Sequence, residues 1–324
     1  MIERSLIEKA AAAIAGADSL ALACHVGPDG DALGSMLGLG IAAANAGKKV
    51  VASFATPFVM PPSLEFLPQD LLVPPGDFPE EPETMVVFDA GSAERLGELG
   101  SSASDAGTLI VIDHHVTNEG FGDIAVVDPG AAATGELVFD ILNDIGWEIT
   151  PDVALCLHTA LVTDTGRFSY ANTTPRTLRI ASELVEAGAV PSQVTRHIYE
   201  EERFGYLKLV GIAMERARLD PELRAVSTVV TDEDLETCGI DWGDTESLID
   251  LLRLAVEADT AVLVKGHADG RVKVSLRSRG DTDVGALAAA MGGGGHRLAA
   301  GFTTTEDDVE SVRDKVLAAI EDHR

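Results

Sequence analysis

A chain of 324 residues, 46% of them apolar, is long enough for two domains that each bury a core. Its 53 acidic against 24 basic residues give a formal charge of −29, which argues against a protein that grips long nucleic acid by its backbone. No apolar run is long enough to cross a bilayer, and the widely spaced Cys24, Cys156 and Cys238 form no C-x-x-C pair, so neither a disulfide framework nor structural zinc is expected.

Leu6, Ile7, Ala10 and Ile14 recur at helical spacing, and acidic residues stand where a signal peptide carries basic ones. The start therefore reads as an amphipathic helix of a cytoplasmic protein. A strand is predicted over 19–26, then a helix over 31–46 closed by Gly47. Strands follow over 49–54, 84–88 and 108–112, and helices over 133–145 and 153–162. The proline-rich, acidic stretch 56–83 reads as an irregular surface connection. Alternation of this kind predicts a parallel sheet with helices on both faces, where ligands collect at the carboxyl ends of the strands.

A helix over 174–188 ends at a glycine, and 190–219 reads as helical until Asp220-Pro221 breaks it. The domain reading is a catalytic domain over 1–190, a helical linker over 191–219 and a smaller α/β domain over 220–324. The last has strands over 223–231, 260–266 and 271–278 and helices over 245–257, 284–290 and 307–320. Between Lys265 and Arg297 stand six basic residues against three aspartates, either a basic pocket for small anions or a solvated strand face.

Five clusters carry chemistry. His25-Val-Gly-Pro-Asp29-Gly-Asp31 follows a strand and opens a helix, and hard carboxylates with an imidazole suit Mn²⁺, Mg²⁺ or Zn²⁺. Asp31 alone is equally explained as a helix N-cap. Asp89 ends the 84–88 strand, Asp113-His114-His115 ends the 108–112 strand, and Asp164 ends an apolar helix. Each has a bland reading singly, but together they point to a two-metal phosphoesterase. The fifth is Gly292-Gly-Gly-Gly-His296-Arg297, where glycines let backbone N–H groups approach an anion. His158, His197, His267 and His323 read as structural or solvated.

The motifs His25-x-x-x-Asp29-x-Asp31, Asp89, Asp113-His114-His115 and Asp164, with the Gly-Gly-Gly-His run, resemble the DHH phosphoesterase family with its DHH-associated C-terminal domain. The resemblance covers nearly the whole chain, and its layout is similar to the NrnA-type oligoribonucleases and pAp phosphatases. The RecJ exonucleases of the family are longer, and family-II pyrophosphatases lack the glycine run.

The resemblance implies an active site in the cleft between the two domains. It implies one metal on His25, Asp29 and Asp89, and a second on Asp31, Asp89, His114 and Asp164, Mn²⁺ being the first choice. His115 would face the scissile phosphate and Asp113 would orient the imidazoles. Arg277, Gly293, Gly294 and His296 would hold the nucleotide end.

The expected reaction is hydrolysis, by water activated between two cations, of nanoRNA, of linear or cyclic dinucleotides such as pApA and pGpG, and of the 3′-phosphate of pAp. The partners implied are short single-stranded RNA and dinucleotides, with no long duplex and no membrane, and a homodimer. A pyrophosphatase or nucleotide phosphatase with little diesterase activity is the alternative. A non-catalytic nucleotide sensor is more remote, because every metal-ligand position is intact.

Overall fold

A computed structural model of the chain describes residues 3–245, 247–305 and 308–322. His323 and the first residue of the 307–320 helix lie outside the described residues. The chain divides into two compact units, 1–201 and 202–324, a division that falls inside the 191–219 segment.

In the first unit, α1 (Arg4–Gly16) precedes β1 (Ser19–Cys24), α2 (Gly30–Asn45), β2 (Lys49–Ser53), β3 (Thr84–Phe88) and the short α3 (Gly100–Ser104). β4 (Thr108–Asp113), β5 (Ile124–Val127), α4 (Thr134–Ile145), α5 (Pro151–Asp164), α6 (Pro175–Glu186) and α7 (Pro191–Thr195) follow. The five strands are parallel in the order β2-β1-β3-β4-β5. β5 was not legible in the sequence, because only four residues separate a turn-rich segment from Asp128-Pro129.

Both faces of this sheet are buried, which is why its strands read as unbroken apolar runs. On β1 and β3, Leu22, Cys24, Val86 and Phe88 enter the larger core with the long helices. The alternate residues Ala21, Ala23, Met85 and Val87 pack with Phe78, Leu96, Leu99 and Ala103 on the opposite face.

α2 and α5 pack at close range through glycine. A Cβ on Gly34 would overlap the Cys156 carbonyl oxygen, and one on Gly30 would overlap Thr163. This approach sets Asp31, one residue after Gly30, against the helix that ends in Asp164. Gly34→Ala is therefore expected to cost about 1–3 kcal/mol through overpacking. Thermal denaturation checks it; an unchanged melting temperature would mean that the two helices can part without penalty.

The second unit begins with α8 (Phe204–Arg216), β6 (Arg218–Asp220), β7 (Ala225–Thr231), α9 (Asp232–Cys238) and α10 (Leu248–Leu252). β8 (Thr260–Gly266), β9 (Val272–Ser278), α11 (Val284–Ala290), β10 (Gly294–His296), β11 (Ala299–Thr304) and α12 (Val309–Asp322) complete it. The mixed sheet runs β10-β11-β9-β8-β7-β6, with β7 and β8 its parallel pair. Val274, Leu276, Ala300 and Phe302 share one core, while Tyr206, Leu209 and Ala213 of α8 enter another with Val226, Val230 and Leu263.

Beyond the unpredicted strands β5 and β11, three stretches differ from the sequence reading. The single helix expected over 190–219 breaks at 201–203, because α8 buries its apolar face in the second unit's own core. The helix expected over 245–257 contracts to Leu248–Leu252. The glycine run, expected as a loop, becomes the edge strand β10: Cβ atoms on Gly293 and Gly295 would overlap Gly301, Phe302 and Ala300, so only glycine lets this backbone lie against β11.

Candidate active site

The acidic and imidazole clusters of the first unit collect at the carboxyl ends of β1, β3 and β4, beside the point between β1 and β3 where the strand order reverses. His25 follows β1, Asp89 follows β3, and Asp113 is the last residue of β4. Asp89 adopts φ +54°, a left-handed conformation that costs a non-glycine residue roughly 1–2 kcal/mol. Its N–H donates to the Ile112 carbonyl at 3.0 Å, which fixes that conformation.

Asp89 stands between two groups of ligand atoms. Its Oδ2 is 3.5 Å from His25 Nε2, and its Oδ1 is 3.6 Å from His114 Nε2. Ligand atoms of His25, Asp29 and Asp89 lie within 4.8 Å of one another, as do those of Asp31, His114 and Asp164, and those of Asp89, His114 and His115. Three sequence-distant clusters are thus brought together around the Asp89 carboxylate, Asp164 joining through His114 and Asp31.

Local structure aims each donor. His25 Nδ1 lies 3.0 Å from the Val26 carbonyl, and His114 Nδ1 lies 3.3 Å from that of Ala131. A proton on Nδ1 satisfies the carbonyl and frees Nε2 as a ligand atom, although at His25 the Arg95 guanidinium, 3.3 Å from the same Nδ1, competes with the Val26 carbonyl for that nitrogen. The N-cap of α2 is Asp29 rather than Asp31: Asp29 Oδ1 accepts from the N–H groups of Asp31 and Ala32, both at 3.0 Å.

Asp31 is fully buried, and accepts from Thr134 N at 2.6 Å, Gly135 N at 3.0 Å and Ser35 Oγ at 2.9 Å. The N-terminus of α4 therefore stabilises its charge through free N–H groups and the helix dipole. Thr134 Oγ1 also donates to Asp89 Oδ1 at 3.0 Å.

The sequence reading missed Thr134 and Gly135. Their signal was the small-residue stretch Ala131-Ala-Ala-Thr134-Gly135 at the head of a helix, which read as a helix start and nothing more.

The pocket is electrostatically frustrated without added positive charge. Burial raises the Asp31 carboxyl well above its ordinary range, and the neighbouring Asp89 and Asp164 add to the rise. Asp29 is raised by burial and by Asp89. Burial alone would lower His114, yet its hydrogen bond to Asp164 (3.1 Å) and the charges of Asp31, Asp164 and Asp89 push it up to about 10. His25 rises against the same penalty through Asp89 and the Val26 carbonyl.

Asp29, Asp31, Asp89 and Asp164 can bring up to four negative charges to a pocket whose imidazoles are neutral when ligating, a charge that bound divalent cations would offset. Carboxylate oxygen and imidazole nitrogen suit Mn²⁺, Mg²⁺ or Zn²⁺. The donor set fits such ions.

Asp113 and His115 form a separate pair. His115 Nδ1 donates to Asp113 Oδ1 at 2.8 Å, and its ring is about half exposed, 46% by side chain. Burial would raise Asp113, but hydrogen bonds from His115 and Asn118 (2.7 Å) carry it below the ordinary carboxylate range. The Asp113 bond in turn raises His115, against burial.

In the second unit, strand register places His296 opposite Ala299 and Ala299 opposite Arg277. Directly opposed residues project to one face, so the imidazole and the guanidinium flank a small alanine. Arg277 Nε is 3.7 Å from Asp250 Oδ1. The backbone of Gly293 is already used, since its N–H donates to the Ala288 carbonyl at 2.8 Å, whereas the Gly294 Cα faces open space.

The other described histidines lie apart from these groups. His158 is buried beside Phe168, and desolvation lowers it to about 4. His197 stacks on Phe66, and His267 packs against Trp242.

Residues 19–161 match the DHH family, N-terminal domain, and residues 226–322 match the DHHA1 domain. The chain is 35% identical over 306 residues to the Thermus thermophilus bifunctional oligoribonuclease and PAP phosphatase NrnA, covering 92% of this chain and 88% of that protein. It is 29% identical to the Bacillus subtilis protein of the same description, covering 94% of each. An exopolyphosphatase-related protein from Bacteroides fragilis superposes with a TM-score of 0.88 at 25% identity, over 99% of this chain and 97% of that one. With both domains matched in order and 35% identity sustained across most of a relative's length, the chain belongs to the DHH family and is a hydrolase of phosphate esters.

Proposed function

We propose that this chain hydrolyses short oligoribonucleotides, linear and cyclic dinucleotides, and the 3′-phosphate of pAp, using two divalent cations, Mn²⁺ first among them. The observation that carries the reading is Asp89, whose two oxygens address His25 on one side and His114 on the other. His25, Asp29 and Asp89 would hold one ion, and Asp31, Asp89, His114 and Asp164 the other. The oligoribonuclease and PAP phosphatase activities named for two relatives support the substrate class. Among the described residues no helix is long and apolar enough to cross a membrane.

When bound, such a cation pair supplies Lewis acidity and brings the pKa of water from about 15.7 to near 7. The protein's own contribution is positional and protic. Thr134 and Gly135 fix Asp31 in place and favour its charged form against the burial that opposes it. Asp113 holds the half-exposed His115 through Nδ1, which leaves the Nε2 position for the substrate. A protonated His115 can then deliver the Nε2 proton to the leaving oxygen or stabilise charge on the phosphoryl group. Arg277 and His296, with Gly293 leading into β10 and Gly294 opening it, would bind the nucleotide's far end and favour short chains.

The reading is tested by product analysis with Mn²⁺ across pAp, pApA, pGpG, cyclic di-AMP, pyrophosphate and RNA of graded length. Mononucleotide release from pApA and the shortest RNAs, falling off with length, is expected; turnover of pyrophosphate alone would replace the reading with a pyrophosphatase. Arg277→Ala and His296→Ala are expected to raise KM for pApA about 10-fold or more, the scale of a charge-assisted hydrogen bond. For a small artificial phosphodiester the rise should be much smaller. Equal rises on both substrates would contradict a role at the nucleotide end.

A further inference from the structure

Directly after Asp164 stands a group of side chains with no part in the chemistry above. Gly166, Arg167 and Phe168 adopt φ of +52°, +61° and +60°, three successive left-handed residues of which the first alone is glycine. The turn is clamped on every side. Thr165 Oγ1 donates to the Leu161 carbonyl at 2.5 Å and accepts from Phe168 N at 3.0 Å. Arg167 N donates to the Val162 carbonyl at 2.8 Å. Asn172 Nδ2 ties the loop to the carbonyls of Asp164 (3.1 Å) and Ala132 (3.0 Å), beside the Ala131 carbonyl that orients His114. The Tyr170 ring lies across Gly166, where any Cβ would overlap it. Strain held in place so completely at the rim of a site is the mark of a loop that must present something.

What it presents is a cation. Arg167 is exposed, and its guanidinium lies 4.6 Å over the Tyr199 ring. Among the described residues that guanidinium makes no ion pair and no hydrogen bond. The contrast with Arg176, Arg203, Arg216 and Arg224 matters, because each of those holds a carboxylate in a chain with 53 acidic residues. Burial raises the Tyr199 phenol, Arg167 pulls it back, and Tyr170 and Asp164 add to the rise, so all four groups stand within electrostatic reach of one another. Tyr170 is 58% exposed.

Resting on the nucleotide reading above, we propose that Arg167, backed by Tyr199, binds a substrate phosphate other than the one hydrolysed, and that the Tyr170 ring stacks the adjoining nucleobase. A phosphate beyond the reaction centre is repelled by the carboxylate pocket and needs a cation of its own. A guanidinium with one face on an aromatic ring keeps its N–H edge for bidentate phosphate contact. An exposed tyrosine gives any base a stacking surface without selecting its sequence.

The test is steady-state kinetics of the full chain with Mn²⁺ on pApA, pAp and bis(p-nitrophenyl) phosphate, which has a single phosphate. Arg167→Ala is expected to raise KM for pApA and pAp about 10- to 100-fold, at least ten times more than for bis(p-nitrophenyl) phosphate. Arg167→Lys should recover part of the loss, and Tyr170→Ala should raise KM for both nucleotides about 10-fold. Arg167→Asn suits left-handed backbone, so a melting temperature at or above that of the wild type, with the same rise in KM, separates lost charge from lost fold. No rise for either nucleotide, or an equal rise for bis(p-nitrophenyl) phosphate, overturns the proposal and leaves nucleotide hydrolysis standing. A wild-type enzyme that turns over neither pApA nor pAp overturns both.

Discussion

Asp89→Asn is expected to lower kcat by about 10³-fold or more while making the metal-free protein more stable. Loss of the carboxylate between His25 and His114 removes an anionic ligand from both groups at once, and metal-assisted charge stabilisation supplies several kcal/mol of the barrier reduction. The stability gain has the opposite origin. Asp89 repels Asp29 and Asp31 and helps to raise both, so neutralising it relieves like-charge repulsion on the order of 1 kcal/mol. The amide oxygen can still accept from Thr134 Oγ1.

The decisive measurement is thermal denaturation with and without Mn²⁺. The wild type should gain about 2.7 kcal/mol at a hundredfold excess over Kd, and the variant little. His114→Ala should lose activity to the same degree with the fold kept. Turnover near the wild-type level in either variant would sink the two-metal model.

Divalent-metal affinity should climb steeply from pH 6 to 8.5. The folded-state pKa of His114, about 10, lies above the ordinary 6.5, so its contribution to metal-free stability is complete below 6.5 and is lost as pH rises toward 10. The raised carboxyls of Asp29 and Asp31 act in the same direction, since the metal-free fold prefers them protonated and loses stability as they ionise. A cation needs the Nε2 lone pair and ionised oxygens, so binding expels those protons. Each displaced proton changes the apparent Kd about tenfold per pH unit below the folded pKa, or about 1.4 kcal/mol. Calorimetry in buffers of different ionisation enthalpy counts the protons released. A pH-independent Kd with no proton release would show that the pocket is already ionised.

The candidate clusters were legible in the sequence because each begins where a strong apolar run ends. A buried parallel strand announces itself by apolar continuity, and the polar residue that stops it is bound to emerge at the sheet's carboxyl end. His25, Asp89 and Asp113 follow that rule, and Asp164 follows its helical counterpart. The second unit was less legible. β10 and β11 were missed because glycine and alanine carry no strand periodicity, and the register that puts His296 on one face with Arg277 is a property of three paired strands. The 190–219 helix was drawn unbroken because local periodicity cannot tell which core an apolar face will enter.

The sequence by itself determined which residue types stand at the ends of which elements, and hence the class of chemistry, since strand and helix periods are local properties. The tertiary structure alone decided how those residues are held. Asp31 is sustained by the N–H groups of an α4 that begins more than a hundred residues later. The N-cap belongs to Asp29, and a left-handed turn after Asp164 presents Arg167 with no ion-pair partner among the described residues. Hydrogen-bond partners and the field of buried like charges depend on distance in space, which residue spacing does not encode.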